Sequence, residues 1–140
     1  MKSTPFLLFD GECAEAMTFY QHCFGGELSL MAVGETPMKA GFPPEKHDRI
    51  INARLVSGAV DITASDWMAS PDLDPVVGNT TAVYITGESL DELSAPFEAL
   101  KAGGNTTHLQ ELGQVPFGIY GQLFDRYGVQ WIFVGERPTP

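Results

Sequence analysis

The chain has 140 residues, a formal net charge of −10 and a pI of about 4.5. This length suits one compact unit with a real hydrophobic core. The excess of acid argues against binding to nucleic acid or to an anionic membrane, because both would repel the chain. No apolar run is long enough to cross a bilayer, and the first residues lack the hydrophobic stretch of a signal peptide. We therefore expect a soluble, cytoplasmic protein.

The first half is predicted to contain one helix and four strands. A short apolar strand over residues 4–9 precedes a helix that Asp10 can cap. Gly25 and Gly26 end this helix, because glycine suits the left-handed residue that follows a helix. The apolar positions of the helix follow the i, i+3, i+4, i+7 spacing: Cys13, Ala16, Met17, Tyr20 and Phe24. The three strands that follow are predicted over residues 27–33, 49–56 and 59–65, with a proline-containing loop at 34–47.

The second half is predicted to repeat this order. After a loop over residues 66–78 and a strand over 79–86, Ser89 and Glu92 fit a capping box. The buried stripe of the helix that follows consists of Leu90, Leu93, Phe97 and Leu100. Pro96 predicts a kink in this helix or a later start. The remaining elements are a Gly103-Gly104 stop, a strand over 106–112 and a hairpin over 117–133 that turns at Asp125–Gly128 and buries Trp131.

Spacing between matching features indicates an internal duplication. The Gly-Gly stops are 103 − 25 = 78 residues apart and the helix caps are 89 − 10 = 79 residues apart. We predict a single α+β domain over 1–140, made of repeats at about 1–66 and 79–135 joined by a loop at 67–78. Each half alone leaves one face of a curved sheet uncovered. The halves must therefore close against each other or against another chain, which predicts a cleft between the sheets.

The two cysteines are too far apart to bridge within the first helix. Cys13 and Cys23 are ten residues apart, so their Cα atoms lie about 15 Å from each other at the rise of an α-helix. A disulfide needs roughly 4.4–6.8 Å. We interpret both as small buried hydrophobic residues, because a nucleophilic thiol would need a nearby base that the sequence does not identify.

Several phrases carry a family resemblance: FDGECAEAMTFY at 9–20, FGGE at 24–27, ASD at 64–66, GG at 103–104 and YGQLFDRYGVQW at 120–131. On these the chain resembles the PhnB-like branch of the vicinal-oxygen-chelate superfamily, which includes glyoxalase I, extradiol dioxygenases and bleomycin-resistance proteins. The resemblance covers nearly the whole chain. It implies two βαβββ modules and a homodimer, in which the modules can be exchanged between chains.

The metal site of the superfamily's active members has no evident counterpart here. Those members place His, Glu or Asp ligands on inward strand positions, where a divalent metal acts as a Lewis acid. Residues 6–9 and 79–86 contain no such ligand, and Gln130 stands where the active families have an acid nearby. Asn52 replaces a histidine that is frequent in the PhnB-like branch. We predict no metal site and no cofactor, with a divalent metal as the alternative.

The histidines do not complete a site. His22 suits the end of the first helix, where a cation meets the negative end of the helix dipole. His47 lies in a charged loop and is predicted to be solvated. His108 is predicted to lie in a strand with Gln110 on the same face, where it either reaches the cleft or plays a structural part.

The candidate ligand-binding residues alternate along the predicted strands: Asn52, Arg54, Asp61, Thr63, Ser65, His108, Tyr120, Gln122 and Trp131. Polar groups on adjacent strands can orient a small ligand, and aromatic rings can stack on it. The alternative is that Arg54 and Asp61 form only a cross-strand ion pair on an exposed face. Trp67 and Met68 either cover the mouth of the cleft or fix the loop that they begin.

The candidate ligand-binding residues of the predicted cleft lead to two hypotheses for function. The first hypothesis is a protein that binds a small polar or aromatic metabolite without a metal, as bleomycin-resistance relatives do. The second is a metal-dependent lyase, isomerase or dioxygenase with an atypical ligand set. Some PhnB-like proteins carry a demethylubiquinone-methyltransferase label, but no glycine-rich turn follows the leading strand to hold a nucleotide-type cofactor. The sequence leaves open whether the protein is an enzyme.

Overall fold

Two four-stranded sheets, each with one helix packed on it, form the fold in this computed structural model, which describes residues 1–67 and 75–135. The chain divides into two compact units, Met1–Val76 and Val77–Pro140. The predicted α+β architecture of two βαβββ modules is confirmed. The internal duplication, and the cleft expected from it, stay predictions.

The first unit contains β1 (Phe6–Phe9), α1 (Cys13–Phe24), β2 (Glu27–Ala32), β3 (Ile50–Ser57) and β4 (Val60–Asp66). Its strands are ordered β1-β4-β3-β2, with β1 parallel to β4 and the other pairs antiparallel. Three short 3-10 helices join β2 to β3, over Val33–Glu35, Pro37–Gly41 and Pro44–Lys46.

The second unit contains β5 (Val83–Gly87), α2 (Leu90–Lys101), β6 (Gln110–Val115), β7 (Gly118–Phe124) and β8 (Gln130–Gly135). Its strand order, β5-β8-β7-β6, repeats that of the first unit, and β5 is parallel to β8. Within it the rings of Phe97 and Phe133 meet edge to face at 5.2 Å between centroids, so α2 is fixed on the sheet by an aromatic contact.

Strand alternation decides which side chains each helix covers. In β3, Ala53 and Leu55 are fully buried on the α1 side, whereas Asn52, Arg54 and Val56 are exposed on the other side. We call the side of each sheet that lies away from its helix the open face. Any residue that faces a ligand on these sheets, rather than the core, must stand on an open face.

The predicted cap of α1 by Asp10 is wrong. The helix begins at Cys13, and the Gly11 and Cys13 amides donate to Asp66 Oδ1 at 2.8 and 3.0 Å. Asp10 instead accepts a hydrogen bond from Arg49 Nη2 at 2.8 Å. The acceptor at the helix N-terminus therefore comes from the end of β4, which spacing along the chain does not reveal.

The start of α2 follows its prediction more closely. The Glu92 amide donates to Ser89 Oγ at 3.1 Å, and Glu92 Oε2 accepts from the Glu88 amide at 2.8 Å. The helix runs from Leu90 to Lys101 with Pro96 inside it, so the predicted later start is wrong. Proline inside a helix costs about 3 kcal/mol, because it donates no backbone hydrogen bond and its ring clashes with the preceding turn. Burial of the stripe that contains Phe97 offsets this cost.

Candidate functional site

A charged cluster lies on the open face of the first sheet. Arg54 Nε and Nη2 donate to Asp61 Oδ1 and Oδ2 at 3.0 and 2.8 Å, and Lys2 Nζ also contacts Asp61 Oδ2. The hydrogen bonds from Arg54 and then Lys2 hold the pKa of the Asp61 carboxyl far below its usual range. Asp61 is therefore a carboxylate at neutral pH. The cross-strand ion pair, which was one of the two interpretations of these residues, is present.

The other predicted polar residues of this unit share the same open face. Register pairs Arg54 with Thr63, and places Ser65 in the row of Asn52. The Thr63 hydroxyl donates to the Pro5 carbonyl at 2.7 Å, and the buried Ser65 hydroxyl donates to the Asp66 carbonyl at 3.1 Å. Their donors are thus used within the protein. Asn52 and Arg54 are exposed polar residues of this face, and so are Ser29 and Glu27 of β2, which pair with Arg54 and Val56.

Exposed apolar side chains border this polar row, and sequence reasoning did not single them out. Phe6 and Leu8 of β1 are 53% and 47% exposed and lie opposite Thr63 and Ser65 on the open face. Met31 of β2 is exposed opposite Asn52. All four residues of β1 are apolar, so no alternation in the sequence marks which of them are exposed. They can be assigned to a face only once β1 is known to pair with β4. The face thus combines apolar area with a few placed polar groups.

Tyr120 and Gln122 share the open face of the second sheet, but Trp131 does not. The Tyr120 hydroxyl donates to Gln122 Oε1 at 2.9 Å. Trp131 pairs with Leu123 on the α2 side, is fully buried and donates from Nε1 to Asp125 Oδ2 at 2.8 Å. The prediction that Trp131 lies beside Tyr120 and Gln122 is therefore wrong. Its partner Leu123 is adjacent to Gln122 in β7, and adjacent positions in a strand point to opposite faces.

His108 lies in an exposed turn before β6, not in a strand beside Gln110. Asn105 forms this turn, because its Oδ1 accepts the Thr107 amide at 2.7 Å. The His108 ring stands edge-on to Phe124, at 6.3 Å between centroids. The turn delays β6 and brings the imidazole to the end of β7.

The other two histidines and the Trp67–Met68 pair were also considered from the sequence. His47 is half-buried rather than solvated, with Nε2 at 3.0 Å from the Lys39 and Phe42 carbonyls. His22 is exposed in the last turn of α1. The Trp67 carbonyl accepts from Arg49 Nη1 at 3.0 Å, which fits its interpretation as a residue that fixes the loop. Met68 lies outside the described residues.

Cys13 has the environment of a structural thiol. It is fully buried, and burial together with the nearby Asp66 carboxylate raises the pKa of the thiol to about 12. A nucleophilic cysteine needs the opposite shift, because the thiolate is the reactive form. Cys23, which was also predicted to be buried, is half-buried.

The donor set on the open faces does not fit a metal centre. Within residues 1–67 and 75–135, no three His, Cys, Asp or Glu side chains gather at one point. Asp61 on the first open face is already bound by two cations. Metal sites of the usual kind need about three convergent ligands. That the protein works without a metal or other cofactor stays a prediction. In the same described ranges, the helices fall short of the length and apolarity that crossing a membrane requires.

Comparison with known proteins identifies the family. A family model described as 3-demethylubiquinone-9 3-methyltransferase matches residues 1–134. The chain belongs to this family. It is similar to protein YjdN of Escherichia coli K12, with 28% identity over 152 residues and 99% of each chain covered. The crystal structure of PA1353 from Pseudomonas aeruginosa is similar at 30% identity and a TM-score of 0.82, again with 99% of each chain covered.

A Bacillus cereus structure described as a putative 3-demethylubiquinone-9 3-methyltransferase, PhnB protein, shares 26% identity at a TM-score of 0.69, over 96% of this chain and 98% of that one. Two more distant structures show the fold alone. One is a glyoxylase/bleomycin resistance protein/dioxygenase domain from Frankia, at 16% identity, a TM-score of 0.65 and 98% of each chain. The other is FosX of Listeria monocytogenes with Mn(II), at 14% identity and 0.60, over 97% and 92%. The predicted PhnB-like family is confirmed, and the fold is that of these glyoxalase-like neighbours.

Proposed function

We propose that this protein binds a small polar or aromatic metabolite on the open face of the first sheet, without a bound metal. The observation that carries the proposal is the Arg54–Asp61 pair, set in a row of polar groups and bordered by the exposed Phe6 and Leu8. Small-molecule sites commonly combine apolar area with a few polar groups that fix orientation. Two exposed apolar side chains beside a fixed charge pair meet that description.

The pair is suited to orient a ligand. Asp61 holds the Nε and Nη2 groups of Arg54, while half of the Arg54 side chain stays exposed. Its Nη1 group can therefore donate to a carbonyl or carboxylate of the ligand. Asp61 restricts the guanidinium before the ligand arrives, which reduces the entropy that binding must offset. Asn52 adds an exposed amide that both donates and accepts.

The methyltransferase in the family's description finds no support in this fold. Dinucleotide-type sites use a parallel doubly wound sheet and a turn of three glycines between the first strand and its helix. Here the turn from β1 to α1 contains one glycine, Gly11, and each sheet is mixed, with a single parallel pair among its described strands. We expect no binding of a nucleotide-type methyl donor.

The alternative function is a metal-dependent lyase, isomerase or dioxygenase of the vicinal-oxygen-chelate type. The likeness to FosX, whose structure contains Mn(II), is the observation in its favour. Metal analysis of protein purified without chelator separates the two. One bound divalent metal per chain, with an activity that a chelator abolishes, would favour the enzyme.

The proposal includes a homodimer, with module exchange between chains as one way to form it. The support is the resemblance to the superfamily, together with the apolar side chains on the open face. Sedimentation equilibrium checks it: we expect the mass of two chains rather than one chain of 15.2 kDa.

Native mass spectrometry against a library of small polar and aromatic metabolites tests the binding site. We expect Arg54→Gln and Asp61→Asn to weaken the retained ligand by about tenfold or more, because each loses a charged hydrogen-bonding partner. Asp10→Asn is the control, since it removes a carboxylate from another exposed ion pair of the same unit. A library that yields no ligand, or equal binding by all three variants, would contradict the proposal.

A further inference from the structure

A recess of about 730 Å³ lies at one end of the second sheet. Its walls are the glycine turn after α2, the turn that carries His108, and the β7–β8 hairpin with Arg126. The volume is within the range of roughly 300–1,000 Å³ that small-molecule pockets occupy. We propose that this recess is a second ligand site, which takes a small aromatic carboxylate. The inference is independent of the function proposed for the first unit, because the recess is built from residues of the second unit only.

The cationic group of the recess is held in place. Arg126 Nε and Nη2 donate to the Ala102 carbonyl at 3.2 and 2.9 Å, so the guanidinium is fixed at the C-terminal end of α2. Gly103 makes this possible, because a Cβ at that position would lie 3.2 Å from Arg126 Nε. A fixed guanidinium matches the planar geometry of a carboxylate. In a chain of net charge −10, Arg126 is the group of the described lining that can attract an anion.

The carboxylate of the recess, Asp125, is turned into the hairpin and not towards a ligand. Asp125 is 3% exposed, and its Oδ1 accepts the Tyr127 and Val129 amides at 2.8 and 3.0 Å. Its Oδ2 accepts the Trp131 indole at 2.8 Å. Three donors therefore stabilise its charge inside the hairpin. A metal cation would need such oxygens turned outward, so the chemistry of the recess favours an anionic ligand over a cationic one.

The remaining wall suits a ring and a second hydrogen bond. Phe124 and His108 present their rings to the recess, edge-on to each other at 6.3 Å between centroids. A flat ligand ring can pack against this pair. Asn105 uses its Oδ1 to accept the Thr107 amide, so the polar group left on its side chain is the Nδ2 donor. One carboxylate can thus accept from Arg126 and Asn105 while its ring contacts Phe124.

Benzoate is the probe that tests this site, with the full chain followed by amide chemical shifts in an NMR titration. We expect saturable shifts at residues 103–105 and 126–128. Arg126→Gln should weaken benzoate binding by about tenfold or more, and Arg126→Lys by less, because lysine keeps the charge but loses the planar fork. Lys46→Gln is the matched control, since it removes the same charge from an exposed turn of the first unit and should change affinity by less than about twofold.

Two ligand controls assign the chemistry. Benzamide keeps the ring without the charge, and acetate keeps the charge without the ring, so both should bind about tenfold more weakly than benzoate. His108→Ala, a change in an exposed turn, should reduce the preference for benzoate over acetate. The inference is overturned by absence of saturation at about 10 mM benzoate, which corresponds to under 3 kcal/mol of affinity, or by equal binding of benzoate to Arg126→Gln and the unchanged protein. Shifts confined to the open face of the first sheet would overturn it too, while supporting the function proposed there.

Discussion

Asp66 is a charged residue that the protein buries and fully uses. It is 1% exposed, and it accepts the amides of Gly11, Cys13 and Ile50 at 2.8, 3.0 and 2.8 Å. Burying a carboxylate is costly unless donors replace the water that it loses. These three bonds join the end of β4 to the start of α1 and the start of β3. One side chain thus links β3 and β4, which carry the polar row of the proposed binding face, to the helix that packs on the other side of their sheet.

Asp66→Asn should lower the free energy of unfolding by about 2–4 kcal/mol, measured by urea denaturation. The amide offers one acceptor oxygen in place of two and turns an N–H₂ group towards backbone donors. Asp10→Asn is the control, because it disturbs an exposed ion pair that contributes about 1 kcal/mol or less. If the two variants lost the same stability, Asp66 would not be the link between the three elements.

The same pair of residues shows what the sequence could predict at this scale. Asp10 lies two residues before Glu12, which occupies the N-cap position of α1, whereas Asp66 reaches the helix only because β4 pairs with β1. Arg54 and Asp61 were predictable as neighbours, since alternation and a short turn between strands fix their register. Trp131 was predicted both to be buried in the hairpin and to line a ligand site, and one side chain cannot do both. The alternation of side chains in β8 decides for burial.

At the scale of elements, the two Gly-Gly stops have one physical cause. A Cβ at Gly26 would lie 2.2 Å from the Val56 carbonyl oxygen, and a Cβ at Gly104 would lie 2.3 Å from that of Phe124. The second glycine of each pair therefore packs against the end of a strand: Gly26 against β3, and Gly104 against β7. Close approach of two backbones, as well as the end of a helix, requires glycine at these positions.

Gly26→Ala should cost about 3 kcal/mol or more of unfolding free energy, whereas Gly25→Ala should cost about 1 kcal/mol. Both residues have positive φ, at 87° and 72°, so both substitutions introduce backbone strain. Only Gly26 adds a clash with backbone atoms that cannot move aside, since a Cβ at Gly25 meets nothing within 4 Å. Chemical denaturation of the two variants measures the difference. Equal losses would mean that φ alone, and not the contact with β3, requires the glycine.

Element types were predictable here, but some boundaries were not. Helical spacing identified α1 and α2, and alternation identified the strands. The strand expected from residue 79 begins at Val83, and the one expected from 106 begins at Gln110. In β5 the start coincides with the first pair of its ladder, Val83 with Trp131. A strand begins where its partner begins, and the partner of β5 comes more than 40 residues later in the chain.

At the scale of the whole molecule, the excess of acidic over basic residues is the dominant electrostatic property. The chain has 18 acidic and 8 basic residues. The described ion pairs engage Asp10, Asp61, Glu98 and Glu111. Such exposed pairs contribute little each, whereas repulsion among an excess of like charges acts on the compact state as a whole. The repeated module order could be predicted from sequence, but the binding face could not be assigned until β1 was seen beside β4.

Added salt should therefore stabilise this protein. Between about 0.01 and 0.15 M NaCl the Debye length falls from about 30 to about 8 Å, which screens repulsion across the molecule. We expect the melting temperature to rise by about 2–4 °C, equivalent to roughly 1 kcal/mol, with most of the rise below 0.15 M. The neighbouring residues Glu45 and Lys46, both exposed, provide opposite controls. Glu45→Lys brings the net charge to −10 + 2 = −8 and should reduce the rise, whereas Lys46→Glu brings it to −10 − 2 = −12 and should increase it. A melting temperature that fell with salt would show that the ion pairs outweigh the repulsion, and a rise that was equal in the two variants would point to an effect of salt on hydration instead of charge.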